Sequence, residues 1–288
     1  MTSVSKAQAL LQLIRFDKPI GTLLLLWPTL WALWLAAAGL PDLDLLLIFC
    51  LGTFLMRSAG CIINDLADRH WDGGVQRTEQ RPLVTGTVSV LEARIFFAVL
   101  CLAAFALVLL TNTFTVMLSF VAVALTATYP FMKRYTHWPQ LVLGAAFSWG
   151  IPMAFAAQLG QLPAALWWVF AANLLWTIVF DTQYAMVDRD DDLKLGIKST
   201  AVLFGRYDRA FIALFQAACL GCLVMVGRGF DLGGYYYAAL LLVAAVFIYH
   251  QRLIYSQERA PCFKAFLHNT WVGALIFAGI ALHFAVGQ

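Results

Sequence analysis

The sequence predicts an all-α, polytopic membrane protein: nine transmembrane helices around a central cavity, the amino terminus cytoplasmic and the carboxyl terminus periplasmic. Three observations carry that expectation. Apolar side chains make up 62% of the chain and charged ones 12%, with a mean hydropathy of +0.78, whereas soluble domains are roughly half apolar. The apolar residues gather into runs long enough for a bilayer, since about 30 Å of hydrocarbon takes roughly 20 residues at ~1.5 Å rise each. Lys and Arg then alternate from one side of those runs to the other, and cytoplasmic loops hold the excess of positive charge.

The elements follow in order. MTSVSKAQALLQLIRFDKP lacks a short apolar core with a small-residue cleavage site, so residues 3–16 read as an amphipathic helix on the inner surface rather than a removed signal. Span one (20–38) is preceded by Lys6, Arg15 and Lys18; span two (44–63) is followed by Arg69, Arg77 and Arg81. Spans three and four (93–110, 113–129) lead to Lys133 and Arg134, and spans five and six (140–157, 164–181) to Arg189, Lys194, Lys198, Arg206 and Arg209. Span seven (209–227) is followed by Arg228 alone, span eight (235–250) by Arg252, Arg259 and Lys264, and span nine (266–285) closes the series. Sixteen cations on one side against one on the other fix the orientation, because a missed or invented span would scramble the alternation. No soluble domain is left over, and residues 1–288 read as one domain. The six cysteines read as small apolar filling or loop residues rather than a redox pair. No nucleic-acid partner is expected.

Eight of the sixteen acidic residues sit in two short segments, each at the cytoplasmic end of a span. NDLADRHWD follows span two with Asp65, Asp68 and Asp72; DTQYAMVDRDDDLKLGIKST follows span six with Asp181, Asp188, Asp190, Asp191 and Asp192. Their matching places suggest two pseudo-repeats, roughly 20–135 and 140–255, plus a ninth helix. Asp68 and Asp72 are four apart, as are Asp188 and Asp192, and Asn64 and Tyr184 stand four residues before each pair. On a helix continuing past the membrane such residues share a face. Like charges there oppose folding unless a cation sits between them, and Mg²⁺ prefers oxygen ligands and takes the rest of its shell from water and phosphate. Two facing claws suit metal ions and a pyrophosphate.

Asn64, Asp65, Asp68 and Asp72 resemble the NDxxDxxxD signature of the UbiA superfamily of intramembrane aromatic prenyltransferases, and Tyr184, Asp188 and Asp192 resemble its second aspartate motif. DTQYAMVDRDDDLKLGIKSTAVLFG, RFDKPIGTLLLLWPTLWALW and RPLVTGTVS are similar to the 4-hydroxybenzoate polyprenyltransferases of ubiquinone biosynthesis. The resemblance covers essentially the whole chain. It implies an enzyme of the bacterial inner membrane with its active site on the cytoplasmic side and with polyprenyl diphosphate and 4-hydroxybenzoate as substrates. Mg²⁺ held by Asp68, Asp72, Asp188 and Asp192, with Asn64 and Asp65 as further candidates, would neutralise the departing diphosphate. The ring carbon ortho to the phenol oxygen would take the prenyl group, and Asp188 is also a candidate for activating the phenol.

Other polar residues join this set. Arg134 has the planar fork for a carboxylate, and Lys133 beside it suits carboxylate or diphosphate. Arg57 lies inside an apolar span, where an unpaired cation costs about 2.5–3.5 kcal/mol, so it is expected to face the cavity and pair there. Lys194 and Lys198 share a helical face that suits a lid over diphosphate. Phe147, Trp149, Phe155, Trp176 and Phe180 lie on central spans, where an aromatic face could screen an allylic cation, but a packing or lipid-facing place is the stronger expectation for any one of them. Gly144, Ala145 and Ala146 permit close helix contact. Homogentisate and dihydroxynaphthoate remain alternative acceptors. A secondary transporter is a rival of another class, but such proteins place their sites near the midplane at broken helices.

Overall fold

The computed structural model describes residues 5–69, 72–74 and 78–286. Its described residues hold helices and no strand; eight of the nine expected spans each fall on one helix and the fifth on two. Helix α1 (Lys6–Leu13) opens with a capping box, Ser5 and Gln8 each bonding the other's backbone N–H. Its apolar face buries Ala9 and Leu13 against Ile62 of α3 (Leu43–Asp68) and Ala93 of α4 (Val90–Val108). The amphipathic start of the chain therefore packs on the protein as well as offering Leu11 and Phe16 outward.

Helices α2 (Ile20–Ala37), α3, α4 and α5 (Thr113–Tyr135) form the first half of the bundle. Capping side chains mark where α4 and α5 begin: Ser89 with Glu92, and Asn112 accepting from the Thr115 N–H. Span five is broken into α6 (Pro139–Ser148) and α7 (Gly150–Leu159) at Trp149. Pro152 explains the break, because its ring has no N–H for the carbonyl four residues back, that of Ser148, and crowds it. Gly144 lets α6 press onto α8 (Leu166–Leu195), where a Cβ would come 3.0 Å from the Leu174 carbonyl oxygen. After α8 come the short α9 (Thr200–Phe204), then α10 (Asp208–Gly229), α11 (Gly234–Leu253) and α12 (Arg259–Val286). Helix α12 returns to pack against α2, α8 and α11, which closes the bundle.

Among the described residues, eight helices are long and apolar enough to cross a membrane. The remaining expected span, span six (164–181), lies on α8, which is not one of them. At 30 residues α8 is ample in length, but Asn173, Thr177, Asp181, Thr182 and Gln183 dilute its apolar run. Those side chains are spent inside the protein. Trp176 Nε1 donates to Asn269 Oδ1 (2.9 Å), Asn269 Nδ2 donates to Gln183 Oε1 (2.7 Å), and Asn173 Nδ2 donates to Ser148 Oγ (2.9 Å). Polar groups without water must find partners within the bundle, and α8 finds them on α6 and α12.

Candidate active site

A cavity of about 940 Å³ opens inside the bundle. Residues of α1 to α8 and of α12 line it, whereas α10 and α11 contribute none. Two acidic segments meet at it: Asn64, Asp65 and Asp68 from the end of α3, and Asp181, Tyr184, Asp188 and Asp192 from α8. Residues some 120 positions apart in the sequence thus share one chamber.

The two claws are built differently. Helix α8 runs without interruption through Tyr184, Asp188 and Asp192, to Gly196, which caps it in the left-handed conformation (φ 68°). Helix α3 ends at Asp68, and Asp72 opens a separate 3-10 turn, Asp72–Gly74. The expected single helix through Asp72 is thus not formed, and the Asp72 side chain lies outside the described residues.

Each carboxylate of the first motif has its own surroundings. Asp65 is buried and engaged by two arginines: Arg15 Nη2 donates to both its oxygens at 2.7 and 2.9 Å, and Arg81 Nη1 lies 3.0 Å away. Its oxygens are engaged by guanidinium groups at the edge of the cavity. Asp65 ties the start of the chain and the residue 78–81 segment to α3. Asp68 is also buried; Lys133 Nζ lies 2.5 Å from its Oδ2, while Oδ1 accepts no hydrogen bond among the described residues. Burying a charged oxygen without a partner is costly.

The basic residues divide. Lys133, Lys198 and Arg57 line the cavity. Arg57 lies against Gly21 of α2 and contacts the Cys61 sulfur, and its Nε has no hydrogen-bond partner among the described residues. Lys198 Nζ donates to the Tyr135 carbonyl (3.2 Å), and its N–H to that of Lys133 (3.0 Å), so the turn after α8 is laced to the end of α5. Arg134 Nη2 donates to the Ala67 carbonyl (2.8 Å), and Arg134 is not among the residues that line the main cavity. Adjacent residues on a helix point about 100° apart, and here Lys133 lines the cavity while Arg134 does not. Lys194 is also outside, 75% exposed and 3.9 Å from Asp191.

The chamber wall is aromatic. Phe147 and Phe180 line it, whereas Phe155 and Trp176 are sealed in the core and Trp149 donates its indole N–H to the Leu118 carbonyl. Sequence reasoning missed Phe263 and Phe266 on α12, which meet Tyr184 with centroids 6.3 and 4.6 Å apart, and Tyr129 on α5. It also missed the roles of Arg15 and Arg81. Tyr129, beside Pro130 in a span of few polar groups, was the one of these with a visible signal.

The comparisons agree with this geometry. Residues 25–282 match the model of the UbiA prenyltransferase family. The chain is 59% identical over 282 residues to a 4-hydroxybenzoate octaprenyltransferase of Photobacterium profundum, covering 98% of each. It is 62% identical over 276 residues to one from Aeromonas hydrophila, covering 96% of each. A solved UbiA homolog from Aeropyrum pernix K1 superposes with a TM-score of 0.80 at 27% identity, over 93% of this chain and 98% of that one. One from Archaeoglobus fulgidus, bound to GPP and Mg²⁺, gives 0.75 at 19% identity over 96% and 100%, a likeness of fold. The chain therefore belongs to the UbiA prenyltransferase family.

Proposed function

We propose that this protein transfers a polyprenyl group from polyprenyl diphosphate to the ring carbon ortho to the hydroxyl of 4-hydroxybenzoate, releasing diphosphate, as a step of ubiquinone biosynthesis. The observation that carries the reading is a single cavity with Asp68, Asp188 and Asp192 together with Phe147, Phe180 and Phe266 in its lining. It offers one charged and one apolar region to a substrate that has both. The choice of acceptor, and an octaprenyl-length donor, are supported by relatives of near-equal length named 4-hydroxybenzoate octaprenyltransferase.

The oxygen donors Asn64, Asp68, Asp188 and Asp192 suit Mg²⁺, and Asp68 Oδ1 has no hydrogen-bond partner among the described residues that an ion would have to displace. Among the described residues no three His, Cys, Asp or Glu side chains come close enough to hold an ion alone. Phosphate oxygens would complete the shell, as is usual for this ion. Bound there, Mg²⁺ supplies charge neutralisation at the leaving oxygen. Lys133 and Lys198 add positive charge near the diphosphate. Arg57, with unused donor capacity, holds the benzoate carboxylate in place of Arg134. The C1–O bond of the donor ionises, the ortho carbon attacks the allylic carbon, and the ring loses its proton. Faces of Phe147, Phe180, Tyr184 and Phe266 exclude water and favour the allylic cation by about 0.5–2 kcal/mol each.

The protein is an integral membrane protein. Placement in the bacterial inner membrane with the charged mouth cytoplasmic is supported by the sixteen-to-one distribution of cations. The test is purified protein incubated with radiolabelled polyprenyl diphosphate and a panel of aromatic acids, with and without EDTA. Label is expected on 4-hydroxybenzoate and none with EDTA; preferential labelling of homogentisate or dihydroxynaphthoate would move the assignment to that acceptor.

A further inference from the structure

The second acidic segment carries more charge than the cavity uses, and the surplus is sorted by direction. At about 100° per residue, Asp188 and Asp192 stay within roughly 40° of each other, while Arg189 turns to one flank of α8 and Asp191 to the other. Arg189 is in ion-pair contact with Asp208, the first residue of α10. The Asp208 side chain is fully buried and that of Arg189 is 17% exposed; neither Asp208 oxygen has a hydrogen-bond partner among the described residues, so the ion pair with Arg189 is what compensates its charge. On the opposite flank Arg259, at the start of α12, reaches Asp190 at 3.5 Å and Asp191 at 3.2 Å. Arg259 is 42% exposed, and exposed pairs hold little. Neither Arg189 nor Asp208 lines the cavity.

We propose that the buried Arg189–Asp208 pair is the positioning device of the second motif: it fixes the rotation of α8 beyond the membrane so that Asp188 and Asp192 face the cavity together. The proposal rests on the reading of that cavity as a Mg²⁺–diphosphate site. Its physical basis is asymmetry. An apolar contact tolerates sliding and rotation, whereas a buried carboxylate with one partner does not, because losing that partner leaves it uncompensated. Asp208 is itself favoured at the amino end of α10, where the helix dipole is positive, so Arg189 docks on a fixed anchor. Arg189 is covalently next to Asp188, so a turn of one residue's angle would carry that carboxylate out of the chamber. Arg189 and Asp208 are thus positioning residues, acting through Asp188 and Asp192.

The test is Mn²⁺ binding in place of Mg²⁺, with inorganic diphosphate, followed by electron paramagnetic resonance on detergent-purified protein without turnover. Asp208→Asn keeps the shape and removes the charge; binding is expected to weaken by about 10–100-fold, the range for groups that orient ligands from behind. The charge-swapped double variant, Arg189→Asp with Asp208→Arg, is expected to recover most of it. Unchanged affinity in Asp208→Asn, with only a lower melting temperature, would make the pair merely structural and overturn the proposal. Should Asp208→Asn not fold, Arg189→Lys, which keeps both charges but loses the planar fork, gives the same comparison and is expected to bind at an intermediate affinity. Asp68→Asn separates the two readings. If wild type binds and Asp68→Asn does not, while Asp208→Asn matches wild type, positioning alone falls; if wild type does not bind, the metal–diphosphate reading falls with it.

Discussion

Asp68 is a buried carboxylate with one oxygen held by Lys133 and the other without a hydrogen-bond partner among the described residues. It lines the chamber from α3, and Asp188 lines the same chamber from α8. Asp68→Ala or Asp188→Ala is expected to lower prenyl transfer by at least about 10²–10³-fold, the size of effect seen when a charge-stabilising group is lost. The protein should still insert and run as a single species on size exclusion; turnover near wild type with Mg²⁺ present would remove both carboxylates from the mechanism. Arg57 and Arg134 make the second residue-scale comparison. Arg57→Ala removes hydrogen bonds to a carboxylate worth about 1.5–3 kcal/mol, so KM for 4-hydroxybenzoate should rise on the order of 10–100-fold while KM for the prenyl donor changes little. Arg134→Ala should leave that ratio near wild type, because its guanidinium bonds the Ala67 carbonyl outside the cavity. A larger acceptor defect in Arg134→Ala than in Arg57→Ala would reverse the assignment.

At the scale of elements, the first motif is held from outside its own helix. Arg15 has a left-handed backbone (φ 58°) that turns the chain between α1 and α2 and brings its guanidinium to Asp65. Arg81 meets the same carboxylate from the other side. Asp65→Asn is expected to destabilise this junction by about 1.5–3 kcal/mol, the worth of hydrogen bonds to a charged group, read as a lower thermal midpoint in detergent. Loss of activity with an unchanged midpoint would return Asp65 to the metal. Helix α8 shows the complementary arrangement: one uninterrupted helix presents Tyr184, Asp188 and Asp192, while its polar core residues bond α6 and α12.

For the molecule as a whole, the topology turns on whether α8 counts as a crossing. With α8 spanning, the residue 38–42 connection and the α9–α10 connection lie on opposite sides; without it they lie on the same side. In a cysteine-free background, cysteine placed at Leu40 or Asp231 is expected to react with an impermeant maleimide added to spheroplasts, and cysteine at Arg206 only after lysis. Labelling of Arg206→Cys from outside would give eight crossings and undo the nine-span topology.

The sequence alone determined the solvent, the positions of the helices, the two acidic segments and the break in polarity along α8. Each of these is local: a run of apolar residues, a spacing of four, or a charge at a span's end is complete within some twenty positions. Only the tertiary structure decided which charges are free for chemistry and which are spent on the fold. Asp65 and Asp68 are three residues apart and read alike, yet one is taken by arginines fifty residues upstream and sixteen downstream, the other by a lysine sixty-five residues away. Likewise Phe263 and Phe266 join the site only because α12 folds back beside α8. Partners so distant leave no mark in local spacing; the three-dimensional packing of the helices selects them.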